Sequence, residues 1–539
     1  RALETLQTSA TPAAALADHA LRAGLLAETI HHSLIAGNEA MAIFAFRVVV
    51  THYETAWQLA EQKGWPETIS GADRQTLYST LGRAYELTEA WPEAQKTYEA
   101  MISYAQTLGA TAIECLGLNH LATVYLNGLG DRPQALQILE QAHRVAEQSG
   151  DRRGLAETEW NLSMAAIQAQ HAKLALHHSE QALAIAHELG HPHLLARCLT
   201  STAQAYAFLR QWDKALPYVL ETHQMYLAAG DLVLAANSQR GIGFLQIFSG
   251  HPAESLDTLQ ETFAFSQRIE NLIGEADSAW ILARAHLEAG NYGAAIKLGR
   301  QAVEQTQAVG RPLVHLLARS AWGIVQRTVM DWESAQKTLL ALFEQSPAEG
   351  VIGWTDQAPE LCALYASVRD WGQAYAYARQ ITHPMHEDEP LLPFNLTGWY
   401  ETEALLRGGD GALARAGVAR LGTAVGTNRR YRLILLRSQA VLAQWDGDVD
   451  QAITHLQAAL ALAQEMGLPG EEWPIRGELG RLYGEQGEIA QAREAHQQAA
   501  KIIHHLAETI DEEALRMGFL AAEPVRAVLE ISEISDAHV

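Results

Sequence analysis

Basic residues are scarce in this chain: 39 Lys and Arg stand against 63 Asp and Glu in 539 residues, a formal net charge of −24. Binding a polyanion needs a positive footprint, so the balance argues against nucleic acid or an anionic membrane as the main partner. Cysteine is nearly absent. Cys115, Cys198 and Cys362 lie far apart and form no CxxC pair, which argues against a disulfide scaffold or a cysteine zinc site and fits a reducing, cytoplasmic setting. No apolar run approaches the roughly 20 residues that span a bilayer. Linkers rich in Pro, Gly and Ser are also missing. At about 150 residues per domain the length would suggest three or four domains, yet without linkers one continuous architecture is the expectation. Neither GxxxxGK[ST] nor GxSxG occurs, so there is no phosphate-cradling loop or nucleophile elbow, and an enzyme reading has little support. No cofactor is expected. What is present is a globular composition, 48% hydrophobic and 19% charged. The chain starts at Arg1 in helix-like sequence without an initiator Met, which reads as a segment of a longer or processed protein.

A small residue recurs with a fixed period: Ala94, Ala135, Ala175, Ala215, Ser255, Ala295, Ala335, Ala374, Ala414, Ala452 and Ala492, spaced 38 to 41 residues apart. Tyrosine stands nine positions before several of these anchors, at Tyr85, Tyr206, Tyr365 and Tyr483. Tyr125 stands ten before because LNGLGDRPQA carries one extra residue. An aromatic three positions before the anchor marks a turn at Trp91, Trp212, Tyr292, Trp332 and Trp371. Fifteen positions after it, Gly109, Gly150, Gly190, Gly230, Gly310 and Gly467 suit a left-handed helix end. Between these marks apolar residues fall at i, i+3, i+4 and i+7, so each repeat reads as two amphipathic helices. The small anchor belongs where the two helices cross, because a larger side chain would push their axes apart.

Tyr78, Leu81, Gly82, Tyr85, Ala94 and Tyr98 resemble the tetratricopeptide repeat signature. The period of about 40 rather than 34 is similar to the long-helix variant in the maltose-regulator-like sensor regions of STAND-type signalling ATPases. The resemblance implies an all-α, right-handed superhelical solenoid of about twelve hairpins. On this reading residues 1–62 hold N-terminal capping helices and a degenerate first repeat in which Val49, Tyr53 and Ala56 occupy second-helix positions. Eleven repeats span 73–508, a capping helix 509–530, and a disordered tail 531–539. It also implies an ATPase upstream of Arg1, with self-association only through that missing part.

By the same resemblance, first helices line the concave surface, with groove positions fifteen and eleven residues before each anchor. These include Arg83, Asn119, Trp160, Gln204, Arg240, Phe244, Trp280, Arg284, Trp399, Glu403, Arg437 and Arg481. Trp and Arg dominate binding hot spots, so a locally basic, aromatic channel is expected, receiving a protein segment or a small-molecule inducer, and an acidic or carboxylate-bearing one by preference. The alternative for the aromatics is packing between repeats. The lysines of a chaperone-tail clamp are absent, since the matching positions hold Ser79, Arg83, Asn119 and Thr123.

The functional expectation is a sensor or interaction region of a STAND-type protein, with a static scaffold as the alternative. A zinc hydrolase is a remote third, because His187, Glu188 and His191 spell HExxH. That motif needs both histidines on one face of an unbroken helix, and the repeat register ends the helix at Gly190. The cluster from His383 to Pro390 reads as a solvated acidic loop.

Overall fold

A computed structural model describes residues 12–536 except 43–44, 170, 269–270, 310–311, 346–356, 382–384, 387–388 and 391–394. Among the described residues the chain forms twelve helical hairpins, from Leu26–Ala42 with Phe46–Lys63 to Pro469–Glu485 with Ile489–Glu508. Helix Ala13–Arg22 precedes them, and helices Glu513–Ala521 and Glu523–Asp536 follow. Met385–His386 and Glu389–Pro390 pair as two-residue antiparallel strands.

The anchors are where the periodicity puts them. All eleven are buried, nine of them with no exposed surface at all. Opposite them a second close approach recurs, in which a glycine on the first helix takes a bulky side chain sixteen residues later. A Cβ on Gly82 would lie 2.4 Å from the Tyr98 ring, and one on Gly37 would lie 2.3 Å from Tyr53. The latter contact joins the helices Leu26–Ala42 and Phe46–Lys63, and Val49, Tyr53 and Ala56 are all fully buried.

Among the described residues, ten hairpins turn through a left-handed residue five positions before the anchor. Glycine fills that place at Gly130, Gly250, Gly290, Gly409, Gly447 and Gly487, whereas Glu89, Arg210, Met330 and Arg369 adopt positive φ without being glycine. The helix-ending glycines Gly109, Gly150, Gly190, Gly230 and Gly467 are left-handed too, while Gly310 lies outside the described residues. The extra residue after Tyr125 is absorbed by a π-helical turn, Tyr125–Leu129, the usual way a helix accommodates a one-residue insertion.

The last helix runs from Glu523 to Asp536, and Val525 and Val528 pack into a core with Tyr292 and Phe519. The chain divides into two compact units: unit 1 comprises 1–167 and 174–201, and unit 2 comprises 168–173 and 202–539.

Unit 1 is a linear stack sharing one core from Ile30 to Ala146. Unit 2 closes on itself. Asn428 Nδ2 donates to the Phe248 carbonyl at 2.9 Å, and the backbone N–H of Tyr292 donates to Thr509 Oγ1 at 3.1 Å. These bonds join residues 180 and 217 positions apart.

Candidate binding cavity

Of the expected groove positions in unit 1, Arg83 is half-exposed and donates to Glu86 at 2.6 Å. Glu86 also accepts from the Tyr98 hydroxyl. Asn119 is 3% exposed, and its amide is spent on packing: Nδ2 donates to Thr158 Oγ1 and the Cys115 carbonyl, and Oδ1 accepts from Asn161. Its place between repeats removes it from a groove surface. Trp160 is partly buried beneath the Arg197 guanidinium, 4.0 Å from the ring centre.

In unit 2, Gln204 is exposed. Arg240 pairs with Asp277 at 3.4 Å. Phe244 is wedged among Trp212, Phe248 and Trp280, with centroids 5.1 to 6.3 Å away, so Phe244 and Trp280 pack between repeats in the core of unit 2.

The other five positions meet. Arg284, Trp399, Glu403, Arg437 and Arg481 line a single cavity of about 440 Å³. Six successive first helices contribute to its wall: Leu272–Glu288, Pro312–Thr328, Ala358–Ser367, Gly398–Arg407, Arg429–Trp445 and Pro469–Glu485. The last helix adds Ala527 and Val528. Self-closure of unit 2 makes this possible, because it brings the helices that begin and end the series together. Trp332 and Trp371, expected only to flank turns, also reach the wall, as do Tyr400 and Trp473.

The expected basic channel is corrected to a balanced one, since six arginines and six glutamates line it. Arg327 pairs with Glu360 at 2.7 Å, Arg369 with Glu523 at 2.7 Å and Arg481 with Glu478 at 2.6 Å. Glu403 accepts from Arg407 at 2.8 Å. The remaining five charges form a ladder. Arg284 faces Glu288 at 3.6 Å, Glu288 meets Arg430 at 3.1 Å, Arg430 meets Glu471 at 2.8 Å, and Glu471 meets Arg437 at 2.5 Å. Beyond Arg437 the ladder ends on the face of Trp399, 3.5 Å from the ring centre, a cation–π cap. Burial works to raise the Glu471 carboxyl, yet the guanidinium groups of Arg430 and Arg437 outweigh it and hold it below its ordinary value.

The ladder's middle, Glu288, Arg430 and Glu471, was not among the expected positions, nor were Arg327 and Glu360. The signal was nevertheless present. Glu288 is four residues past Arg284 and Arg430 seven before Arg437, so both lie on the helix faces already chosen, a turn or two further along.

The HExxH string is broken as its register implies. Helix Ala172–Leu189 ends, Gly190 turns left-handed, and the next helix begins at Pro192. Glu188 is bonded to Arg152, and His191 Nδ1 accepts from the Leu194 N–H. Among the described residues no group of three or more His, Cys, Asp or Glu is placed to hold a metal ion, and no helix is long and apolar enough to cross a membrane. The side chains of His383 to Pro390 lie outside the described residues.

A family model for the tetratricopeptide repeat matches residues 113–188 and 431–503. No curated protein sequence matches the chain. Among solved structures, the APC/C hetero-tetramer Cut9-Hcn1 is similar over 93% of this chain and 95% of its own, at 13% identity and a TM-score of 0.51. A signal transduction ATPase with numerous domains bearing a tetratricopeptide repeat sensor, from Pyrococcus horikoshii, aligns over 69% of this chain and 55% of its own, at 12% identity and a TM-score of 0.41. Aspartyl phosphate phosphatase F from Bacillus subtilis aligns over 67% and 97%, at 15% identity and a TM-score of 0.43.

Proposed function

We propose, from the premise that this chain is a tetratricopeptide-repeat protein, that its unit 2 cavity receives a protein segment or a small-molecule inducer. On this reading the chain serves as the sensor region of a STAND-type signalling ATPase. The observation that carries the reading is the convergence of Arg284, Trp399, Glu403, Arg437 and Arg481 on one cavity. An occupant that fills the cavity would reach first helices from Leu272–Glu288 to Pro469–Glu485. It therefore couples repeats far apart in the chain. A ligand shifts a conformational equilibrium only by its differential affinity for the two states, and contacts spread over six helices change together when the closure of unit 2 tightens or relaxes.

Hydrogen exchange on the full chain tests this, with and without the low-mass and protein fractions of a host extract. One fraction is expected to protect Leu272–Glu288 and Pro469–Glu485 together, and Trp399→Leu combined with Arg481→Ala to remove that protection by at least tenfold in affinity. Protection indifferent to the double variant would overturn the cavity as receiving site. The long-range bonds that close unit 2 favour a second reading, a static interaction scaffold. It predicts binding with protection confined to the contacted residues and no change in the radius of gyration.

A further inference from the structure

Several of the charges around the cavity are already paired. Arg327, Arg369 and Glu403 each have one partner of opposite sign, and Arg481 has two, Glu478 and Glu485. The ladder Arg284, Glu288, Arg430, Glu471, Arg437 alternates in sign but has an odd number of members and an arginine at each end. It therefore holds three cations against two carboxylates, and its net charge is +1. The two ends are not equivalent. Arg437 has a 2.5 Å carboxylate contact and the Trp399 face. Arg284 has Glu288 alone, at 3.6 Å, with a side chain only 12% exposed. Burial holds its guanidinium below the ordinary arginine range, and the nearby Arg327 and Arg430 push the same way against the opposing pull of Glu288 and Glu360. Arg430, in the middle of the ladder, is 2% exposed and its Nη1 is buried away from accessible space, so the weakly paired guanidinium that faces the cavity is that of Arg284.

We infer that the unit 2 cavity is a monoanion site: a ligand bearing one carboxylate seats it against the Arg284 guanidinium, with its apolar body against Trp399, Tyr400 and Trp473. One negative charge neutralises the ladder, whereas two would leave it over-compensated. A space of about 440 Å³ suits a small organic acid or the last residues of a peptide, and is too small for a folded partner. The carboxylate is common to both sources. This inference rests on the proposed receiving role of the cavity and adds the chemistry that the cavity selects.

The test uses phenylacetate and its neutral isostere phenylacetamide, alongside acetyl-Gly-Gly-Phe with a free or an amidated C-terminus, titrated against the full chain by calorimetry and tryptophan fluorescence. Each acid is expected to bind at least tenfold tighter than its amide. Tighter binding of the tripeptide acid than of phenylacetate would identify a peptide end as the source, and the reverse a small acid. Arg284→Met, which leaves the ladder neutral and keeps the side-chain bulk, is expected to abolish the preference for acid over amide while leaving the melting temperature unchanged or higher. Equal binding of acid and amide, or a preference that survives Arg284→Met, overturns the monoanion site but leaves the cavity as a receiving site. Absence of binding by all four probes up to about 10 mM also overturns it. The receiving role itself stands or falls on the extract-protection experiment, which presumes nothing about ligand charge.

Discussion

A methyl group on Gly82 would sit 2.4 Å from the Tyr98 ring, a ring with no exposed surface whose hydroxyl donates to the buried Glu86 at 2.5 Å. Nothing nearby is the free end of a flexible chain. Gly82→Ala gains about 1 kcal/mol of helix propensity but overpacks a site where such insertions cost about 1–3 kcal/mol. The expected result is a net loss of up to roughly 2 kcal/mol in urea unfolding. Tyr98→Leu beside it should recover part of that loss, so the double variant is less destabilised than the two singles summed. Full additivity would show that the glycine is not there for close approach. The same residue logic made Gly82, Tyr98 and the small anchors readable from sequence, since a contact between two helices sixteen residues apart leaves its mark within one repeat.

At the scale of the helical hairpin the turn is the strained part. Ten described repeats place a left-handed residue five positions before the anchor, and four of these, Glu89, Arg210, Met330 and Arg369, are not glycine. A left-handed conformation costs a residue with a Cβ roughly 1–2 kcal/mol relative to glycine. Glu89 is exposed, with its φ at 59°, so it offers a clean measurement. Glu89→Gly should stabilise unit 1 by about 0.5–1 kcal/mol, part of the relieved strain being offset by the greater freedom of glycine when unfolded. A lower thermal midpoint would contradict this account of the turn. Hairpin features of this kind repeat, which is why helix ends, anchors and even the extra residue at Tyr125–Leu129 were legible. The cavity was legible only in part. Arg284, Trp399 and Arg437 sit at repeat-register positions, but Arg430 and Glu288 are 142 residues apart and meet only because unit 2 curves back. A forty-residue period carries no information about which repeats become neighbours across that curve, so balanced pairing replaced the expected basic lining. It likewise could not reveal that Asn119 would be taken up by Thr158 and Asn161 of the following repeat.

Across the molecule the two units obey different rules. In a linear array each repeat touches only its neighbours, and a perturbation fades along the stack. Unit 1 has that form. Unit 2 does not, because Phe248 and Asn428 are joined 180 residues apart, and Gly290 and Tyr292 meet Thr509. Asn428 does two jobs, since Nδ2 donates to the Phe248 carbonyl while Oδ1 accepts from the Tyr431 N–H and caps helix Arg429–Trp445. Serine is also a good N-cap but is too short to reach Phe248. Asn428→Ser therefore separates closure from capping. Losing one buried inter-repeat hydrogen bond weakens local stability by about 1–2 kcal/mol, which corresponds to roughly tenfold faster amide exchange where opening is local. The acceleration is expected at both ends of the closure, in residues 245–250 and 428–434, with unit 1 unchanged. Were unit 2 a linear stack, only the second stretch and its sequence neighbours would respond. The same variant should then bind whatever occupies the cavity more weakly although Asn428 is not among the cavity-lining residues, because the wall exists only while Leu272–Glu288 and Pro469–Glu485 are held together.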